Sequence, residues 1–171
     1  MSVALLNGVT LEKAQASELS CIENMMQFYN YELSQWYPID FSAAGAYSIQ
    51  SKAEYWATAG VAPYLIKANG DLAGFAVVDS EVIDAGYAHN LGYFFVARRY
   101  RKQGIGLATF STLLKLFPGA WEVYYLAKNK SAAQFWPSAF KKAGIVGLNI
   151  SNELIHDEAS VLCRFNTANA A

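Results

Sequence analysis

Cysteine is scarce in this chain, occurring only at Cys21 and Cys163. Neither has a partner at metal-ligand spacing, which excludes a disulfide framework and a cysteine-based metal centre. Both thiols are expected to be free and buried in a reducing cytosol. An excess of charge is missing as well: 13 Lys and Arg stand against 14 Asp and Glu, for a net charge of -1. With no global basic field, neither nucleic acid nor an anionic membrane surface is expected as a partner. No apolar run is long enough to span a bilayer, and no charged segment followed by an apolar one opens the chain in the manner of a signal peptide. Internal repeats and low-complexity linkers are absent too. The expectation is a cytoplasmic protein, monomer or homodimer. One domain would cover residues 1–166, followed by a small polar tail, 167–171, that frays.

Apolar residues are what the chain has in quantity. They make up 54% of it, and aromatics alone 15%, enough for a sizeable core and against disorder over most of the length. Their spacing predicts the elements. Gly8–Ala14 reads as a first strand. Ser17 is placed to cap a helix in which Leu19, Ile22, Met26, Tyr29 and Leu33 form one apolar face. Residues 36–60 are aromatic and irregular, with a short helix at Lys52–Ala59. Ala62–Ala68 and Leu72–Val78 flank the turn signal Asn69-Gly70-Asp71 and predict a hairpin. Ser80–Asn90 reads as a loop, Leu91–Val96 as a buried strand and Leu107–Phe117 as a helix. Trp121–Ala127 is a further strand and Ser131–Ala143 a further helix. Gly144–Ile150 and Ala159–Phe165 are the last strands, joined by a turn around Ser151 and Asn152. The order predicts an α/β (α+β) domain with a mixed sheet of about six to seven strands flanked by helices.

One stretch stands out against the near-neutral background. Arg98, Arg99, Arg101 and Lys102 crowd into five residues, and Gly104 and Gly106 follow around Ile105. The stretch joins a buried strand to an amphipathic helix. A helix start offers unpaired N–H groups and the positive end of the dipole, and glycines leave that backbone bare. Strand, glycine loop and helix together make an anion site that would accept a pyrophosphate. The same glycines also suit a plain tight turn with surface arginines. Two nucleotide motifs do not match. The dinucleotide fingerprint needs a third glycine where Thr109 stands, and the Walker loop needs Gly-Lys-Ser/Thr after its glycines.

Arg101-Lys102-Gln103-Gly104-Ile105-Gly106 resembles the acyl-CoA loop, Arg/Gln-x-x-Gly-x-Gly/Ala, of the GNAT superfamily of N-acetyltransferases. Downstream, Asn129, Ala132, Phe135 and Trp136 follow that superfamily's Asn-x-x-Ala-x-x-apolar-aromatic spacing. The resemblance covers Leu91–Gly144 and implies the GNAT fold and acetyl transfer from acetyl-CoA to an amine acceptor. It implies that backbone N–H groups from Gln103 to Leu107, Ile105 and Gly106 among them, hold the pyrophosphate of coenzyme A, with Arg101 and Lys102 adding charge. The strand edge at Phe95 and Val96 would pair with the pantetheine arm, and the Val96 N–H would polarise the thioester carbonyl. Asn129 would hydrogen-bond the cofactor between two splayed strands, with Phe135 and Trp136 beside it. Two other readings stay open: a GNAT-fold module that binds acyl-CoA without catalysis, and a nucleotide-binding α/β domain.

The proton-transfer positions depart from the family pattern. The strand before the loop, LGYFFV, carries no glutamate, and Trp136 stands where many members carry an acidic tyrosine. A lysine-like amine is neutral in fewer than about one molecule in 10³ at pH 7, so a base assists. Glu122 and His89 are the candidates. Histidine as a residue type changes charge near neutral pH, which is what offers His89 for the role. Glu122 sits in an apolar strand, where it needs a purpose or a salt-bridge partner. Tyr124 is a candidate acid, with Tyr93 and Tyr125 as alternatives. The aromatics Tyr29, Trp36, Tyr37, Phe41, Tyr47 and Tyr55 would wall the acceptor site.

Overall fold

A computed structural model describes residues 1–48 and 52–167. Among these residues eight strands form one sheet in the order β1-β2-β3-β4-β5-β6-β8-β7, one or two more than the sequence predicts. β1 (Ser2–Leu6) and β2 (Val9–Lys13) form a hairpin where a single strand is expected. β3 (Ala62–Ala68) and β4 (Asp71–Asp79) are the expected hairpin, turned by Asn69 and Gly70, both at positive φ. β5 (His89–Val96) starts two residues early, inside the expected loop. β6 (Ala120–Leu126) pairs with β8 (Glu158–Asn166), and β8 with β7 (Asn149–Ile155). The last turn lies at His156 and Asp157, both at positive φ, while Ser151 and Asn152 lie within β7. Every neighbouring pair is antiparallel except β5 and β6.

Among the described residues four α-helices cover the sheet. α1 (Leu19–Leu33) buries Ile22 and Met26 against Leu65, Phe75, Val77 and Phe95 on one face. Its entry is fixed by Glu18, whose carboxylate accepts the Gln15 N–H at 2.9 Å. Ser17 lies inside the single 3-10 turn that precedes the helix and does not cap it. α2 (Ala53–Ala57) lies on the same face and is bound to α1 by the Trp56 indole donating to Glu23 at 2.9 Å. α3 (Ile105–Leu116) and α4 (Lys130–Lys142) cover the opposite face. There Phe110, Trp121, Trp136, Phe140 and Phe165 interlock, with ring centroids 5.2 to 6.4 Å apart. Aromatic pairs of this kind, edge-to-face or stacked, add about 0.5–1.5 kcal/mol each beyond the area they bury.

Thr167, which the sequence places in the polar tail, is held in the fold. The Thr167 N–H donates to Gly119 O at 2.9 Å, and its hydroxyl oxygen accepts the Gly119 N–H at 2.7 Å. Positions 168–171 lie outside the described residues, as do 49–51 of the irregular aromatic segment.

Candidate active site

The parallel pair holds the site. β5 and β6 are in register only at His89 with Trp121 and at Asn90 with Glu122. Beyond those pairs the strands part. Leu91–Val96 and Val123–Leu126 keep their outer partners, β4 and β8, but do not pair with each other. The result is a wedge-shaped slot in the middle of the sheet, closed near Asn90 and open towards Val96. Parted strands leave main-chain donors and acceptors without ladder partners, and buried groups of that kind need others.

The direction of those groups follows from one bond. Ala97 N–H donates to Ala73 O on the β4 side at 2.8 Å. Alternate residues of a strand address opposite edges, so Phe95 turns its main chain to β4 and Val96 turns its own to the slot. Of the two strand positions singled out in the sequence, only Val96 therefore offers its N–H to a ligand there. The Val96 carbonyl is already taken: Arg101 Nε donates to it at 2.6 Å.

That bond gives Arg101 a role unlike the one expected. Its other guanidinium nitrogen holds Glu32 at the end of α1 at 2.7 Å, and Arg98 holds the second Glu32 oxygen at 2.9 Å. The guanidinium thus ties loop, strand end and α1 together. Lys102 is exposed and adopts φ +60°, a left-handed conformation that costs a non-glycine residue about 1–2 kcal/mol. Gln103 is exposed and folds its side-chain amide onto Arg99 O at 2.9 Å.

The two glycines have different physical reasons. Gly104 is the residue before α3 and sits at φ +80°. The first bond within α3 runs from Ala108 N–H to Gly104 O, so the N–H groups of Ile105, Gly106 and Leu107 have no partner inside the helix. Gly104 has no side chain to cap them. Gly106 has ordinary φ, but a Cβ there would stand 3.2 Å from Phe135 and 3.7 Å from Phe94. It is glycine because aromatic rings from α4 and β5 close over the first turn of α3. Ile105 is buried and Leu107 packs against the same cluster.

The second motif is explained by a cap. Asn129 Oδ1 accepts the Ala132 N–H at 3.0 Å, which starts α4 and accounts for the three-residue spacing. Its Nδ2 is the part of the side chain left to donate to a ligand. Phe135 and Trp136 pack on Phe94 of β5, each with centroids 5.9 Å away. Trp136 is buried among Phe110 and Phe140 and faces the core.

The three candidate proton-transfer residues are not brought together. His89 lies at the start of β5, about 23 Å along the strand from Val96 at roughly 3.3 Å per residue. It packs on Phe117 and Trp121 and contacts Pro118 O at 3.2 Å. Glu122 is 1% exposed at the closed end of the slot, and both its oxygens are engaged. Arg164 Nε donates to Oε1 at 2.8 Å, as do the N–H of Asp84 to Oε1 at 3.2 Å and of Ile83 to Oε2 at 2.6 Å. That is the salt bridge the sequence offered as the alternative to a base. Tyr124 is half-buried beside the slot. Burial, followed by the negative charge of Asp79 and Glu81, pushes its hydroxyl above the usual tyrosine range.

On the face covered by α1 and α2 lies a polar group that belongs to neither sequence motif. Asp79, at the end of β4, is 1% exposed. It accepts the Tyr55 hydroxyl at 2.5 Å, the Asn90 amide at 2.9 Å and the Glu81 N–H at 3.0 Å. Tyr55 lies edge-on to Tyr93, which also meets Tyr29; Lys52 Nζ donates to the Tyr93 hydroxyl at 2.6 Å. Burial raises the Tyr29 and Tyr55 hydroxyls above their usual range, and for Tyr55 the bond to Asp79 adds to it. Of the six aromatics expected to wall an acceptor site, Tyr29 and Tyr55 reach this cluster. Tyr47 instead exchanges two main-chain bonds with the Gln27 side chain, and Phe41 stacks on Tyr47. The only sequence signal for Asp79 was an acid closing an otherwise apolar strand, which also describes an ordinary strand terminus.

No helix of the described residues is long and apolar enough to cross a membrane, and none of them form a cluster able to hold a metal ion. The family model of the acetyltransferase (GNAT) family matches residues 25–140. No curated protein matches the chain. Among solved structures it is similar to ribosomal-protein-S5-alanine acetyltransferase from Vibrio fischeri, with TM-score 0.68 and 13% identity over 100% of this chain and 99% of that one. RimL, a ribosomal L7/L12 alpha-N-protein acetyltransferase in complex with coenzyme A, aligns with TM-score 0.62 and 10% identity over 96% of each chain. A spermidine N-acetyltransferase mutant from Vibrio cholerae gives TM-score 0.61 and 12% identity over 96% and 97%. With a family model that spans the glycine loop, the slot and most of α4, the chain belongs to the GNAT family of acetyltransferases.

Proposed function

We propose that the chain carries acetyl from acetyl-CoA to the amine of a small molecule or peptide by direct transfer in a ternary complex, in the cytoplasm. The observation that carries this reading is the parting of β5 and β6 directly beside the uncapped start of α3. A slot with main-chain donors on one wall, continuous with free helix N–H groups, suits a ligand with a diphosphate at one end and an amide-bearing arm at the other.

In this reading the N–H groups from Gln103 to Leu107 hold the diphosphate and exposed Lys102 adds charge. Arg101 positions the loop through Val96 and Glu32. The Val96 N–H is directed at the slot, where it can bind the arm. Asn129 can donate through Nδ2. The leaving thiol departs as thiolate with little help, given a pKa near 8.5. The amine is the harder partner, because it must give up a proton. The cluster of Tyr29, Tyr55, Tyr93 and Tyr124 lies on the face away from α3 and α4. Acceptor and acetyl donor would then approach the slot from opposite sides of the sheet.

Calorimetry with coenzyme A, NAD and ATP, together with thiol release from acetyl-CoA across a panel of amines, tests the reading. Selective CoA binding with turnover on at least one amine is expected. CoA binding with no turnover on any amine would mean a non-catalytic acyl-CoA module, and preference for NAD or ATP would mean a different phosphate ligand.

A further inference from the structure

We infer that Asp79 is the terminal acceptor of the proton that the amine loses, reached through the Tyr55 hydroxyl. This rests on the acetyl-transfer reading above. Three observations converge on it. The first is the absence of a counter-ion. Glu122 and Asp79 are each 1% exposed, and Glu122 is paired with Arg164. Among the described residues no ion pair includes Asp79. It is held by neutral donors alone: a phenol, an amide and a main-chain N–H. A buried carboxylate without a cation is costly as a purely structural element. Asn90 keeps its donating orientation although its own Oδ1 is left buried and without a partner.

The second observation is the space that the carboxylate fills. A Cβ on Gly92 would collide with Asp79 Oδ2 and come within 2.9 Å of the Tyr55 hydroxyl. Asp79 and Tyr55 therefore put their polar atoms where a side chain of β5 would otherwise stand. Gly92 has ordinary φ, so the glycine is there for this close approach.

The third observation is the irregularity of the strand. Val77 pairs with Tyr93 and Val78 with Leu91, which leaves Gly92 as an extra residue in β5. Bulges of this kind re-aim side chains next to active sites. This one lies in the part of β5 that borders the open slot, and Tyr93 beside it carries the contacts to Tyr29, Tyr55 and Lys52.

The proton balance closes. The amine nitrogen attacks the thioester carbon, and a C–N bond forms. A nitrogen-bound proton passes to the Tyr55 oxygen as the Tyr55 proton passes to Asp79 Oδ2. The C–S bond breaks, and thiolate leaves with its electron pair. Asp79 is then a neutral carboxylic acid and returns its proton to solvent through Tyr55 when the amide departs. Because the hydroxyl gives and takes a proton together, its raised ionisation does not obstruct the relay.

The test uses the full chain and the variants Asp79→Asn, Tyr55→Phe and Gly92→Ala. Acetyl transfer to benzylamine, spermidine and a peptide with a free α-amino group is followed by thiol release, and coenzyme A affinity is measured by calorimetry. For D79N and Y55F we expect kcat to fall by about 10²-fold or more, with CoA affinity unchanged within about twofold. G92A should do the same by displacing the carboxylate. Y55F, which removes a single oxygen from a half-buried ring, keeps the test valid if D79N does not fold. Full activity in folded D79N or in Y55F would overturn the relay alone, as would a loss explained entirely by weaker CoA binding. A wild type that binds CoA but acetylates none of the amines would overturn the acetyl-transfer reading and the relay with it.

Discussion

Gly106 and Phe135 put the two sequence motifs in contact: a Cβ on the glycine would stand 3.2 Å from Cε2 of the ring. The ring must then shift by a few tenths of an ångström, or α3 must. Overpacking of this size costs about 1–3 kcal/mol. Gly106→Ala should therefore lower stability in a denaturant titration. Phe135→Leu in the same chain should recover part of the loss, because the smaller side chain yields the space. A double mutant no more stable than G106A would show that the glycine answers to something other than the ring.

Arg101 is placed to organise the loop, with its charge already matched by Glu32. Arg101→Lys keeps the charge but cannot bond Val96 O and Glu32 together in the same fork. If positioning is the main effect, R101K should weaken coenzyme A binding nearly as much as Arg101→Met, by roughly tenfold, the equivalent of one charge-assisted bond. Calorimetry at two salt concentrations separates the alternatives. If the charge dominates, R101K retains wild-type affinity and R101M alone loses it, more so at low salt.

These contacts mark where the sequence was legible and where it was not. The strand, loop and helix from Leu91 to Phe117 could be read because a buried run, a glycine pair and an amphipathic repeat each leave a one-dimensional trace. The parting of β5 from β6 leaves none, since it depends on register between strands separated by a helix. β1 was missed because its side chains are half exposed and alternate weakly, and β7 was placed about five residues early, at Gly144–Ile150 instead of Asn149–Ile155, because it is an edge strand with Ile150 and Leu154 facing outward. The last turn was misplaced because His156 and Asp157 take left-handed φ without a glycine. Glu122 in its apolar strand needed either a catalytic purpose or a salt-bridge partner, and the structure pairs it with Arg164. Arg164, 42 positions away, could not be chosen from spacing.

The Glu122–Arg164 pair should matter more for folding than for chemistry. Removing one partner of a buried pair leaves an uncompensated charge, at about 3–5 kcal/mol. Arg164→Met should thus be strongly destabilised, while Glu122→Leu with Arg164→Met should be more stable than R164M alone. In Glu122→Gln, the activity of whatever fraction remains folded should stay within a few-fold of wild type. A loss of 10²-fold or more in folded E122Q would instead restore Glu122 as the general base.

The two thiols should separate by accessibility. Cys163 is buried in β8, and burial pushes its thiol up to about 11, so little thiolate exists at pH 8. Cys21 is half-buried on α1. In a thiol-reagent assay at pH 8, the native chain should titrate with one fast equivalent and the denatured chain with two. Two fast equivalents in the native chain would mean that the α3/α4 core opens readily.

Glu12 and Lys67 give the fold a defined pH dependence. Lys67 Nζ lies 2.7 Å from Glu12 across β2 and β3, and the Thr10 hydroxyl donates to the same carboxylate at 2.9 Å. The bond to Lys67, then the one to Thr10, holds the Glu12 carboxyl below its ordinary 4.5. A depressed carboxyl means that the unfolded chain binds the proton first as the solution is acidified. The contribution is therefore complete above about pH 4.5, and it is lost as the pH falls through the lower native value. On the alkaline side the same bond raises Lys67 above its ordinary 10.5, so stability declines again as pH rises past that value. Lys67→Met removes the alkaline limb and the larger part of the acid limb, leaving what the Thr10 bond contributes. Denaturant midpoints at pH 7 and pH 3 should differ less in K67M than in the wild type, whose other carboxylates contribute equally to both proteins. Equal differences would mean that the pair is too exposed to couple to folding.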